Sequence, residues 1–192
     1  MMNLAQKQIL LSRDVILEDS FRKIESIGGI SNISTENGIL CSFVVCSYPE
    51  MKLIDKSVVE FRTSFPYIPG FLVFREGPPI ILAYEKLKKR PDLIMVKASG
   101  ICHPRFFGMA SHIGLLLQKP TIGITERALC GEAKNGKIFY RGRQVGWKLK
   151  NIYISPGYKV SLESSLEIAK NCMRGHKLPE PLYLAHQYVK QI

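Results

Sequence analysis

Asp92-Leu93-Ile94-Met95-Val96 and Thr121-Ile122-Gly123-Ile124 are short runs made almost wholly of apolar residues. Runs of this kind are strands buried on both faces. Between them, residues 106–118 have helical spacing, so strand, helix and strand follow in order. That order implies a parallel pair joined by a crossover helix. A chain holding such a unit must cover both faces of its sheet with helices.

The remaining patterns fit around that unit. Residues 4–23 read as a helical lead-in, with Leu10, Leu11, Ile16 and Leu17 among charged positions. Three strand-like runs follow at 24–33, 39–47 and 52–61, the second after the turn signal Glu36-Asn37-Gly38. They predict an antiparallel meander. Residues 74–89 have helical spacing and end in a basic run stopped by Pro91. Strand-like segments at 137–140, 144–149 and 152–154 precede helices at 161–174 and 181–190. No repeat, linker or low-complexity stretch divides the chain, so residues 1–192 are expected to form a single domain. The fold class is α/β: a mixed sheet, part meander and part parallel, flanked by helices.

Composition narrows the partners. Lysine and arginine total 27 against 16 acidic residues, a formal charge of +11. A field of that sign favours polyanions, nucleic acid before an anionic membrane surface. The 46% hydrophobic and 22% charged residues are ordinary globular values and speak against disorder. No run approaches the ~18 apolar residues of a membrane span, and the N-terminus lacks a signal-peptide layout. A cytoplasmic protein without a membrane partner is expected. Cys41, Cys46, Cys102, Cys130 and Cys172 are odd in number and form no Cys-x-x-Cys pair, so buried thiols are expected.

Four segments can carry chemistry. Pro66-Tyr67-Ile68-Pro69 is stiffened at both ends, and such a loop can wedge Tyr67 or Ile68 into a base stack. It fits a buried turn capping the sheet as well. Glu76 is placed in a helix's first turn, where the dipole stabilises a carboxylate. The segment Val96-Lys97-Ala98-Ser99-Gly100-Ile101-Cys102-His103-Pro104-Arg105 follows the carboxyl end of a buried strand, where open α/β sheets bind ligands. Its small residues admit a ligand, and His103 and Arg105 could meet a phosphate. Finally, Lys134, Lys137, Arg141, Arg143, Lys148 and Lys150 occur between 134 and 150 with no acidic residue, interleaved with Phe139, Tyr140 and Trp147. Cations neutralise phosphates and aromatics stack on bases. A solvated hairpin would read the same way.

Several strings together resemble endonuclease V, a family that cleaves nucleic acid near deaminated adenine. They are Pro66-Tyr67-Ile68-Pro69-Gly70-Phe71-Leu72, Phe74-Arg75-Glu76, Pro91-Asp92-Leu93, Gly100-Ile101-Cys102-His103-Pro104-Arg105 and Pro120-Thr121-Ile122-Gly123. Leu129-Cys130-Gly131, Ser155-Pro156-Gly157 and Leu178-Pro179-Glu180-Pro181 with Ala185-His186 continue the match, although the segment near 148–152 looks short. The resemblance implies a ribonuclease H-like fold and phosphodiester hydrolysis by carboxylate-held Mg²⁺.

Carried over residue by residue, the family's helix-borne glutamate is Glu76 and the histidine of its His-Pro-Arg string is His103. Its two catalytic aspartates fall on Ser31 and Lys97, and its catalytic lysine on Glu126. Further departures are Ser99, Tyr158 and Tyr183. Mg²⁺ seeks carboxylate oxygens, whereas Lys97 offers an ammonium. The resemblance therefore leads to a metal-free site crosslinked by Glu76, Lys97 and Glu126. No cofactor is expected, with Glu76 the one candidate ligand; Mg²⁺ or Mn²⁺ would belong to a nuclease reading.

The retained wedge, pocket loop and basic stretch, including Lys137, Arg141 and Arg143, predict a binder of inosine-bearing or distorted DNA or RNA with lost or weakened cleavage. Two alternatives stand. One is an active DNA-repair endonuclease with a rearranged site of Asp92, Glu76, Asn32 and His103, although Asp92 lies ~16 Å of extended chain before Lys97. The other is a non-catalytic protein-interaction subunit.

Overall fold

A computed structural model describes residues 3–36 and 38–191; Asn37, within the expected turn, lies outside the described residues. The meander is β1 (Ser26–Thr35), β2 (Gly38–Ser47) and β3 (Leu53–Phe61), all antiparallel. The two apolar runs are β4 (Leu93–Val96) and β5 (Thr121–Thr125), and α3 (Met109–Leu117) crosses between them. β4 pairs in parallel with both β1 and β5. The sheet is completed by β6 (Glu132–Lys134), β7 (Lys137–Tyr140), β8 (Arg143–Leu149) and β9 (Ile152–Tyr158), in the order β3-β2-β1-β4-β5-β9-β8-β7-β6.

Strand alternation divides the core between two faces. Leu93 and Met95 of β4 join Ile27, Val44 and Ile122 on one face, beneath α4 (Leu162–Asn171) and α5 (Glu180–Lys190). Ile94 and Val96 join Ile30, Phe43 and Val45 on the other, beneath α2 (Leu72–Glu85) and α3. This is the mixed, helix-flanked sheet expected. No helix of the described residues is long and apolar enough to cross a membrane.

The structure corrects several boundaries. The helix expected over 4–23 is only α1 (Leu4–Leu11), capped by a reciprocal Asn3–Gln6 pair and followed by a 3-10 turn at Ser12–Asp14. The chain beyond serves tertiary partners: the Ile16 carbonyl accepts from Lys159, and Asp19 accepts from the Ser161 backbone N–H that precedes α4. The helix expected over 74–89 is α2, which runs through Pro78 and Pro79 and ends at Glu85. Asp55 accepts the Lys88 and Lys89 backbone N–H groups, so the basic run is a turn pinned to β3. β6 was not expected, although Asn135-Gly136 marks the turn that follows it.

Candidate nucleic-acid interface

β4 and β5 end side by side next to the middle of β1, with Ile30 opposite Val96 and Val96 opposite Gly123. The loops leaving these carboxyl ends surround a cavity of about 240 Å³. Ala98, Ser99 and His103 come from the loop after β4, Gly70 and Val73 from the wedge loop and α2, and Arg127 and Leu129 from the loop after β5. Ser99 and His103 are both buried. Gly100 lets this loop lie against β9: its N–H donates to Ser155 Oγ (2.8 Å), and a Cβ there would meet the Pro156 carbonyl oxygen at 2.1 Å.

One carbonyl ties the wedge to the pocket. Gly70 O accepts from Arg105 Nη2 (2.8 Å) and Gln8 Nε2 (3.0 Å), and His103 Nε2 lies 3.2 Å away. His103 Nδ1 accepts from the Arg105 backbone N–H, which leaves the ring neutral with its proton on Nε2. Burial first, and the Arg105 charge second, hold the imidazole down to about 4. Gly70 has φ +81°, a conformation that favours glycine, and a Cβ there would push on Arg105 Nη2 at 2.9 Å. Beyond this clamp, Tyr67 is 64% exposed and Ile68 is 39% exposed. The loop is not a buried turn. His103 and Arg105, expected to meet a phosphate, are turned instead into the fold, with Arg105 Nε donating to Gln8 and the guanidinium over Phe71.

The neighbouring charged groups depart from the expected crosslink. Lys97 pairs with Glu126 (3.8 Å), and Lys177 also bridges to Glu126. Hydrogen bonding to Lys177, opposed in part by burial, keeps the Glu126 carboxyl below its usual range. Glu76 stands outside this bridge. It lies in the second turn of α2, not the first, and accepts from Asn32 Nδ2 (3.2 Å). Burial raises its carboxyl despite Asn32 and Arg75, so burial, not the helix dipole, governs it. Ser31, itself buried, lies 3.2 Å from His186 Nδ1, and burial and Lys97 lower that imidazole. Asp92 accepts from the Glu25 and Ser26 backbone N–H groups and from Ser26 Oγ, so it staples the start of β1 and leaves the rearranged site.

These donors do not fit Mg²⁺. Glu76 is a single carboxylate with an amide N–H on one oxygen, while Ser31, next to Asn32 on β1, offers a hydroxyl and Lys97, after β4, an ammonium held by Glu126. Among the described residues no cluster of three His, Cys, Asp or Glu side chains could hold a metal ion.

The basic stretch forms the far sheet edge, β6 to β8. Its aromatics are mostly committed: Trp147 Nε1 donates to the Leu162 carbonyl, and Tyr140 packs on Phe106 with ring centroids 5.5 Å apart. Phe139 is the exposed one, at 40%. Lys137 lies over Trp147, Arg141 over Tyr140 and Arg143 over Phe106, with their charges at the surface. Gln8, Arg127 and Lys177 were not anticipated. Each arrives from a segment remote in sequence and carries no motif; His186 lay in a matched string without a role.

The endonuclease V family profile matches residues 9–187. Endonuclease V of Dictyoglomus turgidum is 38% identical over 196 residues, covering 95% of this chain and 86% of that protein. Endonuclease V of Archaeoglobus fulgidus is 37% identical, covering 95% and 88%. Among solved structures, Streptomyces avermitilis endonuclease V superposes with TM-score 0.86 at 25% identity, covering 97% and 90%. A Ciona intestinalis endonuclease V variant, crystallised with a 23mer DNA containing an inosine followed by a ribo-adenosine, gives 0.84 at 26% identity, covering 96% and 93%. A profile spanning most of the sequence, and relatives more than a third identical over nearly all of it, establish that the chain belongs to the endonuclease V family.

Proposed function

We propose that this protein holds inosine-bearing nucleic acid without metal-dependent cleavage. An unstacked base enters the 240 Å³ cavity, Tyr67 fills the gap it leaves, and Lys97 and Arg127 take the adjoining phosphate. The observation that supports this reading is the contrast between a formed cavity and the positions of Ser31 and Lys97, where a hydroxyl and an ammonium stand in place of the two carboxylates that the family resemblance implies. Inosine as ligand is supported by the Ciona intestinalis complex. An ammonium needs no divalent ion to meet a phosphate, so affinity should be indifferent to chelation.

The test is retention of a labelled deoxyinosine strand and its deoxyadenosine counterpart in Mg²⁺ and in EDTA. Preference for the deoxyinosine strand, equal in both buffers, supports the proposal. Binding that collapses in EDTA would overturn it.

A further inference from the structure

A groove leads away from the base cavity. Arg127 lines both that cavity and a second one of about 320 Å³ beside Glu126 and Lys148. Lys150, Asn151 and Lys177 then line both the second and a third, of about 360 Å³, between the β8–β9 turn and the loop joining α4 to α5. Leu149, Ile152 and Met173 give the third cavity an apolar floor. Lys150, Lys170 and Lys177 reach it from three separate segments, and no acidic residue lines it. Among the described residues Lys150 and Lys170 form no ion pair. His176, also lining it, lies flat on Tyr183 with ring centroids 3.5 Å apart and 9° between planes.

The apolar floor and the flat ring of His176 suit the base of a nucleotide, and the ammoniums of Lys150 and Lys170 suit its phosphates. We propose that the third cavity is a second nucleotide subsite for the strand whose modified base fills the first. One unstacked nucleotide lies against Leu149, Met173 and His176, and its flanking phosphates meet Lys150 and Lys170. The inference rests on the strand-binding reading, and it adds a contact that is indifferent to the base in the first cavity.

Two kinds of variant test it on deoxyinosine and deoxyadenosine 20-mers. Lys150→Glu with Lys170→Glu should weaken both strands alike, about tenfold or more, and reduce the salt slope by ~1.4 if two phosphate contacts are lost. Met173→Trp fills the cavity without changing charge and should weaken both about fivefold; Asn151→Trp, at the exposed turn, does the same should the first variant misfold. The wild-type preference for deoxyinosine, read in the same titrations, reports on the base cavity separately. Should the wild type retain neither strand, 5′-AMP titrated by amide NMR shifts at Lys150, Asn151 and His176 decides the subsite alone. Strand affinities untouched by the cavity-filling variants, or no shift with AMP in that case, would overturn the subsite.

Discussion

The 240 Å³ cavity and the charged site lie against the same ends of β4 and β5, yet they are built differently. Around the cavity, buried Gln8 and His103 and half-buried Arg105 converge on the single carbonyl of Gly70, and the pocket loop is pressed on β9 where no Cβ fits. Around Glu126, half-exposed lysines share one carboxylate. Buried, fully partnered polar groups fix a shape, whereas exposed ion pairs stabilise little and adjust to a ligand. On the proposed function, the rigid half takes the base and the soft half the phosphate.

Acid should have the largest effect, through His103 in the rigid half and His112 on α3, packed against Phe74 and Phe107. His103 and His112 are both held down to about 4, chiefly by burial. In the unfolded chain they titrate near 6.5, so between those values the unfolded state binds more protons. Stability is therefore full above pH 6.5 and falls as pH drops toward 4, by about 1.4 kcal/mol per pH unit for each group. Denaturant titrations across that window should show the decline, and His112→Gln should flatten part of it. Equal slopes in variant and wild type would assign the acid response elsewhere.

Next in size is Gly100→Ala, which forces a methyl onto the Pro156 carbonyl and should cost about 3 kcal/mol in the same titrations. Tyr67→Ala removes an exposed ring and should leave stability unchanged while weakening deoxyinosine duplex about tenfold, single strands less. Equal loss on both would remove the wedge. The smallest effect belongs to the soft half: Glu126→Gln should change stability by less than ~1 kcal/mol. A larger loss would mean the charged cluster is a structural brace.

The legible parts were those in which local pattern and tertiary role agree. β4 and β5 are apolar because both faces are buried, so their runs announced the parallel centre. The stretch after Leu11 keeps apolar residues among charges, but hydrogen bonds with Lys159 and Ser161, in the link between β9 and α4, hold it extended. α2 tolerates Pro78 and Pro79, which argue against a helix interior. In the site, motif strings located Gly70, Ser99 and His103, but what each side chain touches depends on rotamer and neighbour. Charge alone suggested that Lys97 would reach Glu76; Asn32 occupies that carboxylate, and Lys177 arrives from the loop after α4. No spacing rule links residues so far apart.

The most direct test of the account is strand scission. End-labelled deoxyinosine duplex and inosine single strands, incubated with the wild-type protein in Mg²⁺ or Mn²⁺ beside Glu76→Ala, should remain intact while the protein retains them. Nicking near the inosine that disappears in Glu76→Ala would contradict the account, because it would require a working metal site around the one carboxylate that remains.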